Sequence, residues 1–274
     1  MAKRWSKSKL SSRAPDRKGP KMPTVEQNRQ QWNKAWTDPG DSWSQAWGGV
    51  RSQWFGAILP RIHAFIPTDT ILEIGPGYGR WTQFLITNCR NLIGVDLAEE
   101  CIRACRERFG SSPDLAFFAN DGKSLDMISD ESISFVFSFD SLVHADADAM
   151  EAYVNELSRK LIHDGVAFIH HSNLGAYKNG ANGELPEQLS NPHWRSENMS
   201  GKRFEEFCRM ADLRCISQEM INWGGDVLND CFSVVARKDS HWAARPSRVF
   251  QNGGFMAEAE RLRQLSELYG YQTK

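Results

Sequence analysis

Three glycines at alternate positions, Gly75, Gly77 and Gly79, follow a short apolar run that carries a single acid, Glu73. The stretch reads Ile71-Leu-Glu-Ile-Gly-Pro-Gly-Tyr-Gly-Arg80, and further on Leu92-Ile-Gly-Val-Asp96 is a second apolar run that ends in a carboxylate. A strand, a glycine turn, a helix and a second strand tipped with Asp make half a nucleotide-binding unit. The spacing argues against a dinucleotide, whose G-x-G-x-x-G turn uses its third glycine to let the helix pack on the strand. Counted from Gly75 that position is Arg80, and counted from Gly77 it is Thr82. Glu73 would repel a pyrophosphate and suits a ligand carrying a cationic amino group and a sulfonium.

A second group of residues could move a proton. Asp140, His144, His170 and His171 fall just after two later apolar runs. Imidazole titrates near neutral pH and is a natural general base for a hydroxyl proton. His144 is the first candidate base, His170 or His171 the alternative, and Asp140 the residue that could orient it. Adjacent residues of an extended chain point to opposite sides, so at most one of His170 and His171 faces a common site. Two histidines and an Asp could also hold a divalent ion. Magnesium prefers oxygen ligands, and no dense carboxylate cluster is visible, so no metal is expected.

Positioning these residues requires strand ends. Strands are predicted at about 70–74, 91–95, 115–119, 133–139 and 165–170, with helices at about 79–88, 98–109, 146–161 and 201–211. A strand pair follows at about 213–222 and 230–237, and a last amphipathic helix at 256–268. Alternating βα units build an α/β fold with a doubly wound, mostly parallel sheet. Ligands of such sheets sit at the carboxyl ends of the strands. That rule adds Leu97, Asn120, Asp121, Gly122 and Phe139 to the candidate site.

The pattern E-x-G-x-G-x-G, with Asp96 after the next strand, resembles motif I of the class I S-adenosylmethionine-dependent methyltransferases. The resemblance covers roughly 65–238. It implies a Rossmann-like, seven-stranded sheet with a reversed last strand, and S-adenosylmethionine as cofactor. It also implies a glycine turn beneath the methionine moiety, Asp96 on the ribose hydroxyls and Asp121 on the adenine amino group. His144 matches a His found after the fourth strand in many small-molecule members. Cofactor contacts are therefore expected from Glu73, Gly75, Gly77, Gly79, Arg80, Asp96, Leu97, Asn120, Asp121, Gly122 and Phe139.

Trp32, Trp36, Trp43, Trp47 and Trp54 crowd the stretch just before the first predicted strand. The spacing within Trp32/Trp36 and Trp43/Trp47 lets each pair share one helix face. Two or three short helices are expected over 23–66, broken at Asp38-Pro-Gly40 and Gly48-Gly49, capping the mouth of the site. These rings are either core anchors or an aromatic wall, with Trp43 placed against the acceptor and Trp47 against the cofactor. The polar segment 172–199 is expected as an acceptor loop or lid, offering Tyr177, His193, Trp194 and Arg195. Arg195 could clamp a phosphate or carboxylate.

Composition bounds the rest. The 274 residues carry 33 Lys and Arg against 34 Asp and Glu, and no apolar run is long enough to span a bilayer. Residues 1–22 read as a disordered basic arm able to touch nucleic acid or anionic lipid, and 239–274 as an extension with one helix around the domain at 67–238. Six cysteines without a C-x-x-C pair, and no secretory signal, suggest a reducing cytoplasm. Asp140-Ser-Leu-Val stands where amino methyltransferases of nucleic acids carry [DN]-P-P-[YFW], which disfavours a nucleic-acid acceptor. The Trp-rich cap, Phe-Asp-Ser-Leu-Val-His144 and His170-His-Ser-Asn173 resemble methyltransferases of surface-polysaccharide synthesis. That resemblance implies O-methylation of a sugar or glycan hydroxyl. The alternatives are a methyltransferase for a small secondary metabolite, or a cofactor-binding protein without transferase activity.

Overall fold

The computed structural model describes residues 24–36, 38–180, 183–189, 191 and 193–270. The arm expected over 1–22 lies outside the described residues. Along the chain run α1 (Val25–Trp32), a 3-10 segment (Asp41–Trp47), α2 (Val50–Gln53), a π turn (Trp54–Ile58) and α3 (Leu59–Ile62). The alternating units follow: β1 (Thr68–Ile74), α4 (Thr82–Leu85), β2 (Cys89–Asp96), α5 (Glu99–Phe109), β3 (Leu115–Ala119), β4 (Ile133–Ser138), α6 (Ala147–Lys160) and β5 (Leu161–Ser172). After them come α7 (Gly201–Met210), β6 (Leu213–Ile221), β7 (Asp230–Arg237), β8 (Arg248–Asn252) and α8 (Phe255–Tyr269).

The strands form one eight-stranded sheet in the order β3-β2-β1-β4-β5-β7-β6-β8. Only β7 runs against its neighbours β5 and β6; the other pairings are parallel. Strand order reverses between β1 and β4, which opens a crevice at their carboxyl ends. The central strands are continuous apolar runs because both of their faces are covered. On one face Ile71, Phe135, Phe137 and Phe168 pack with Trp47, Trp54, Ile58 and Ile62. On the other, Leu72, Val136 and Ile169 meet Met150, Val154 and Leu157 of α6 and Phe204 of α7.

Three expectations change. The sheet has eight strands rather than seven, because β8 pairs in parallel with β6 over Ser217–Ile221. Its residues Arg248 to Gln251 are exposed, so no burial pattern marks them in the sequence. The helix predicted at 79–88 shrinks to Thr82–Leu85 and a 3-10 turn, since the glycine turn persists through Arg80. The tryptophan-rich segment divides its rings. Trp47 and Trp54 belong to the same core as the sheet, while Trp32, Trp36 and Trp43 stay at the crevice.

Candidate active site

The crevice deepens into a cavity lined by the β1 and β2 ends, the loop after β4, and α1. Gly75 and Gly77 form its floor with φ of +75° and +56°, a region that side chains disfavour. A Cβ on Gly75 would stand 1.9 Å from Ser141 Oγ, and one on Gly77 would stand 2.7 Å from the Trp36 ring. The turn is also pinned by Asp96, whose Oδ2 accepts from Gly77 N at 3.1 Å and whose Oδ1 accepts from Ala98 N at 2.9 Å. Burial pushes the Asp96 carboxyl up to about 6, opposed by those N–H donors. Acceptor capacity remains on both oxygens, and Asp96 lines the cavity beside Leu97.

Arg80 reaches the cavity from the far end of the turn. Its Nη2 donates to Asp140 Oδ2 at 2.8 Å, and Trp43 and Trp81 flank the guanidinium at 5.3 and 4.6 Å. Nη1 is buried and has no hydrogen-bond partner among the described residues. Asp140 holds a left-handed backbone, φ +58°, a strained conformation that persists only where surroundings enforce it. The enforcing group is His170, whose Nδ1 accepts from Asp140 N at 3.0 Å.

His144 sits on the same loop and faces the cavity. Its Nδ1 lies 3.0 Å from the Trp194 carbonyl, so that nitrogen carries the proton and donates. Nε2 is left as the acceptor. Burial lowers the His144 pKa from its usual value, partly opposed by the Trp194 carbonyl, and keeps the ring neutral near pH 7. Trp32 covers the ring at 5.3 Å. Segment 194–196 clamps the β4 loop a second time through Ser196 N to Val143 O at 2.9 Å and Ser196 Oγ to Asp146 Oδ1 at 3.0 Å.

Asp230, which the sequence reading did not single out, anchors this clamp from the start of β7. It is fully buried and accepts from Arg195 Nε at 2.6 Å and His170 Nε2 at 3.1 Å. One carboxylate therefore reaches the Asp140 loop through His170 and the Trp194 carbonyl through Arg195. A lone acid opening the apolar run Asp230-Cys-Phe-Ser-Val-Val was the available signal.

Other expected residues stand away from the cavity. Trp47 is buried against Trp223 at 5.0 Å and Phe255 at 5.9 Å, so it is a core ring and not a cofactor wall. The reason is local: Trp43 and Trp47 lie on a 3-10 helix, whose three-residue turn sends residues four apart to different sides. Glu73 points behind the turn and accepts from Thr82 Oγ1 at 2.5 Å, with burial pushing it up to about 8. Gly79 is absent from the lining and makes room for Phe109 of α5. Asn120 binds Ser124 O and Tyr153 Oη, and Asp121 folds back on the N–H groups of Lys123 and Ser124 as an Asx turn. Of that loop Gly122 reaches the cavity, as does Phe139 after β4.

His171 points to the opposite side of β5 from His170, stacks on Phe204 at 4.3 Å and takes a hydrogen bond from Ser233 Oγ at 2.8 Å. Tyr177 Oη accepts from Leu228 N and ties the segment after β5 to the β6–β7 connection. His193 is exposed, and Arg195 is consumed by Asp230, so neither is a free clamp on the cavity. Trp194 contributes its backbone carbonyl to His144. The aromatic wall is instead Trp32, Trp36 and Trp43, with Trp36 stacked on Tyr78 at 4.6 Å.

A methyltransferase-domain family model matches residues 71–165, from β1 into β5. Residues 71–165 are thus similar to a methyltransferase domain, and the sheet order and glycine turn accord with an S-adenosylmethionine-dependent methyltransferase. Among curated proteins the chain is similar to ribosomal RNA small subunit methyltransferase A of Coxiella burnetii (strain RSA 331). The two are 32% identical over 62 residues, 23% of this chain and 24% of that protein. A protein of the same name from Synechococcus elongatus is 38% identical over 73 residues, 26% of each chain. The chain thus spans about a quarter of the length of the curated relatives it matches. Two solved structures share the fold. A Pyrococcus horikoshii OT3 protein aligns at 17% identity and TM-score 0.52, covering 69% of this chain and 91% of that one. An S-adenosylmethionine-dependent methyltransferase from Clostridium acetobutylicum aligns at 16% identity and TM-score 0.51, covering 68% and 91%.

S-adenosylmethionine fits the residues present. Arg80 Nη1, without a partner among the described residues, would suit the carboxylate of its methionine moiety. Asp96 offers acceptors for ribose hydroxyls, and the floor at Gly75 and Gly77 has no room for a side chain. Among the described residues no group of three or more His, Cys, Asp or Glu is arranged to hold a metal ion, and no helix is long and apolar enough to cross a membrane.

Proposed function

We propose that the protein is an S-adenosylmethionine-dependent O-methyltransferase whose acceptor is a sugar or glycan hydroxyl and whose general base is His144. The observation that carries this reading is the Nδ1 hydrogen bond of His144 to the Trp194 carbonyl. It fixes the tautomer in which Nε2 is the free lone pair, and burial keeps that lone pair unprotonated near pH 7. Bound S-adenosylmethionine supplies a methyl group activated by a sulfonium. The chain's own part is to hold the acceptor in line, exclude water, and take up one proton at His144 Nε2.

The walls support an uncharged, hydroxyl-rich acceptor. Trp32, Trp36 and Trp43 present broad apolar faces. The acids lining the cavity, Asp96, Asp140 and Asp146, outnumber its one lining Arg, Arg80, which disfavours a phosphate-rich acceptor. The names of the curated relatives raise ribosomal RNA as the second reading. The test is a screen with labelled methyl donor against methyl hexopyranosides, nucleotide sugars, defined oligosaccharides and ribosomal RNA transcripts. Label is expected in a sugar. His144→Ala is expected to lower turnover about a hundredfold or more, with S-adenosylhomocysteine affinity unchanged. Label in RNA alone would replace the glycan reading, and full turnover in His144→Ala would move the base elsewhere.

A further inference from the structure

A buried polar atom of a residue that lines the cavity has no partner among the described residues. Asn28, on α1, is only 7% exposed and lines the cavity. Its Nδ2 donates to the backbone carbonyl of His144 at 2.8 Å. Only the NH2 end of an amide can serve that carbonyl, so the amide orientation is set and Oδ1 is the opposite end. Oδ1 is buried and has no hydrogen-bond partner among the described residues. A buried acceptor left unmet is costly, so such an atom in a binding cavity marks a place where a ligand donor belongs.

We infer that Asn28 Oδ1 binds the methyl acceptor and selects one bearing a second hydroxyl next to the hydroxyl that is methylated. The inference rests on the reading of His144 as base. Asn28 is tied to His144 itself, and Trp32, one turn further along α1, covers the same imidazole. The donor's anchors, by contrast, lie on the strand ends at Gly75, Gly77 and Asp96. His144 Nε2 and Asn28 Oδ1 are both acceptors, so together they call for two neighbouring donors on one substrate, as a vicinal diol provides. A site built to bond a substrate hydroxyl discriminates strongly against the analogue that lacks it.

The test is a cycle between protein and substrate. A methyl hexopyranoside or nucleotide sugar labelled by the wild type is compared with its deoxy analogue at the carbon next to the methylated oxygen. Both are run with wild type and Asn28→Ala, and S-adenosylhomocysteine affinity is measured for each protein. The wild type is expected to lose about tenfold or more in kcat/KM on the deoxy analogue. Asn28→Ala is expected to treat the two substrates alike while binding S-adenosylhomocysteine as the wild type does. A mere loosening of the His144 loop would slow both substrates equally and leave the deoxy penalty in place. An equal penalty in both proteins, or a tenfold loss of S-adenosylhomocysteine affinity in Asn28→Ala, overturns this inference alone. No sugar labelled by the wild type overturns the glycan reading and this inference with it.

Discussion

Asp230→Asn isolates the charge that holds the clamp on the β4 loop. The substitution keeps volume and one carbonyl oxygen but leaves Arg195, 3% exposed, as a buried cation without its anion. Two magnitudes bear on the outcome. Burial alone would push the Asp230 carboxyl up, but Arg195 and His170 outweigh it and hold the acid at about 2. A folded value below the unfolded one gives stability that is present above the ordinary carboxylate value and lost as pH falls through about 2, here about 2 kcal/mol. Orphaning the partner of a buried pair costs about 3–5 kcal/mol. The second figure governs near pH 7, because Arg195 cannot give up its proton. Urea unfolding followed by circular dichroism is expected to show that loss with an unchanged slope. The folded variant should bind S-adenosylhomocysteine normally, since Asp230 does not line the cavity. Asp230→Asn combined with Arg195→Met should cost less than Asp230→Asn alone. A loss below about 1 kcal/mol, the scale of an exposed pair, would refute the reasoning.

Other expectations concern protons. Glu73, raised to about 8 by burial, contributes stability below the ordinary carboxylate range that is lost as pH rises through 8. Urea unfolding of Glu73→Gln should therefore match the wild type near pH 4 and exceed it by a margin that grows from pH 6 to pH 8. His171, lowered to about 4 by burial, makes the unfolded chain take up its proton first. Stability should fall between about pH 6.5 and 4 by up to about 3 kcal/mol, and His171→Gln should flatten that slope in acid unfolding. The lowered His144 pKa places the acid limb of kcat/KM below the usual imidazole value. A limb at or above 6.5 would contradict a lowered His144 as the base.

The glycine turn and Asp96 were legible because their work is local: backbone conformation, close approach and a strand end are written in consecutive residues. Asp121 was only partly legible for a related reason. It stands after β3 as expected, while its Oδ1 accepts from Lys123 N and Ser124 N, a choice made by the turn itself. Arg195 looked like a free clamp because its partner, Asp230, comes from strand β7, distant along the chain. The tryptophans show a third kind of limit. Their spacing suits α-helical pairing, yet Trp43 and Trp47 lie on a 3-10 helix and diverge, one to the cavity and one to the core. Asn28 carried no motif, since its role comes from the packing of α1 against His144. Strand β8 escaped for want of a buried face.

The central claim is that the cavity above Gly75 and Gly77 holds S-adenosylmethionine with Asp96 on its ribose. Calorimetric titration of S-adenosylhomocysteine into wild type and Asp96→Ala tests it most directly. Saturable one-to-one binding is expected in the wild type, weakened about 10- to 100-fold in Asp96→Ala by the loss of charged hydrogen bonds. Binding of NADH with no heat from S-adenosylhomocysteine, or equal affinity in the two proteins, would contradict it.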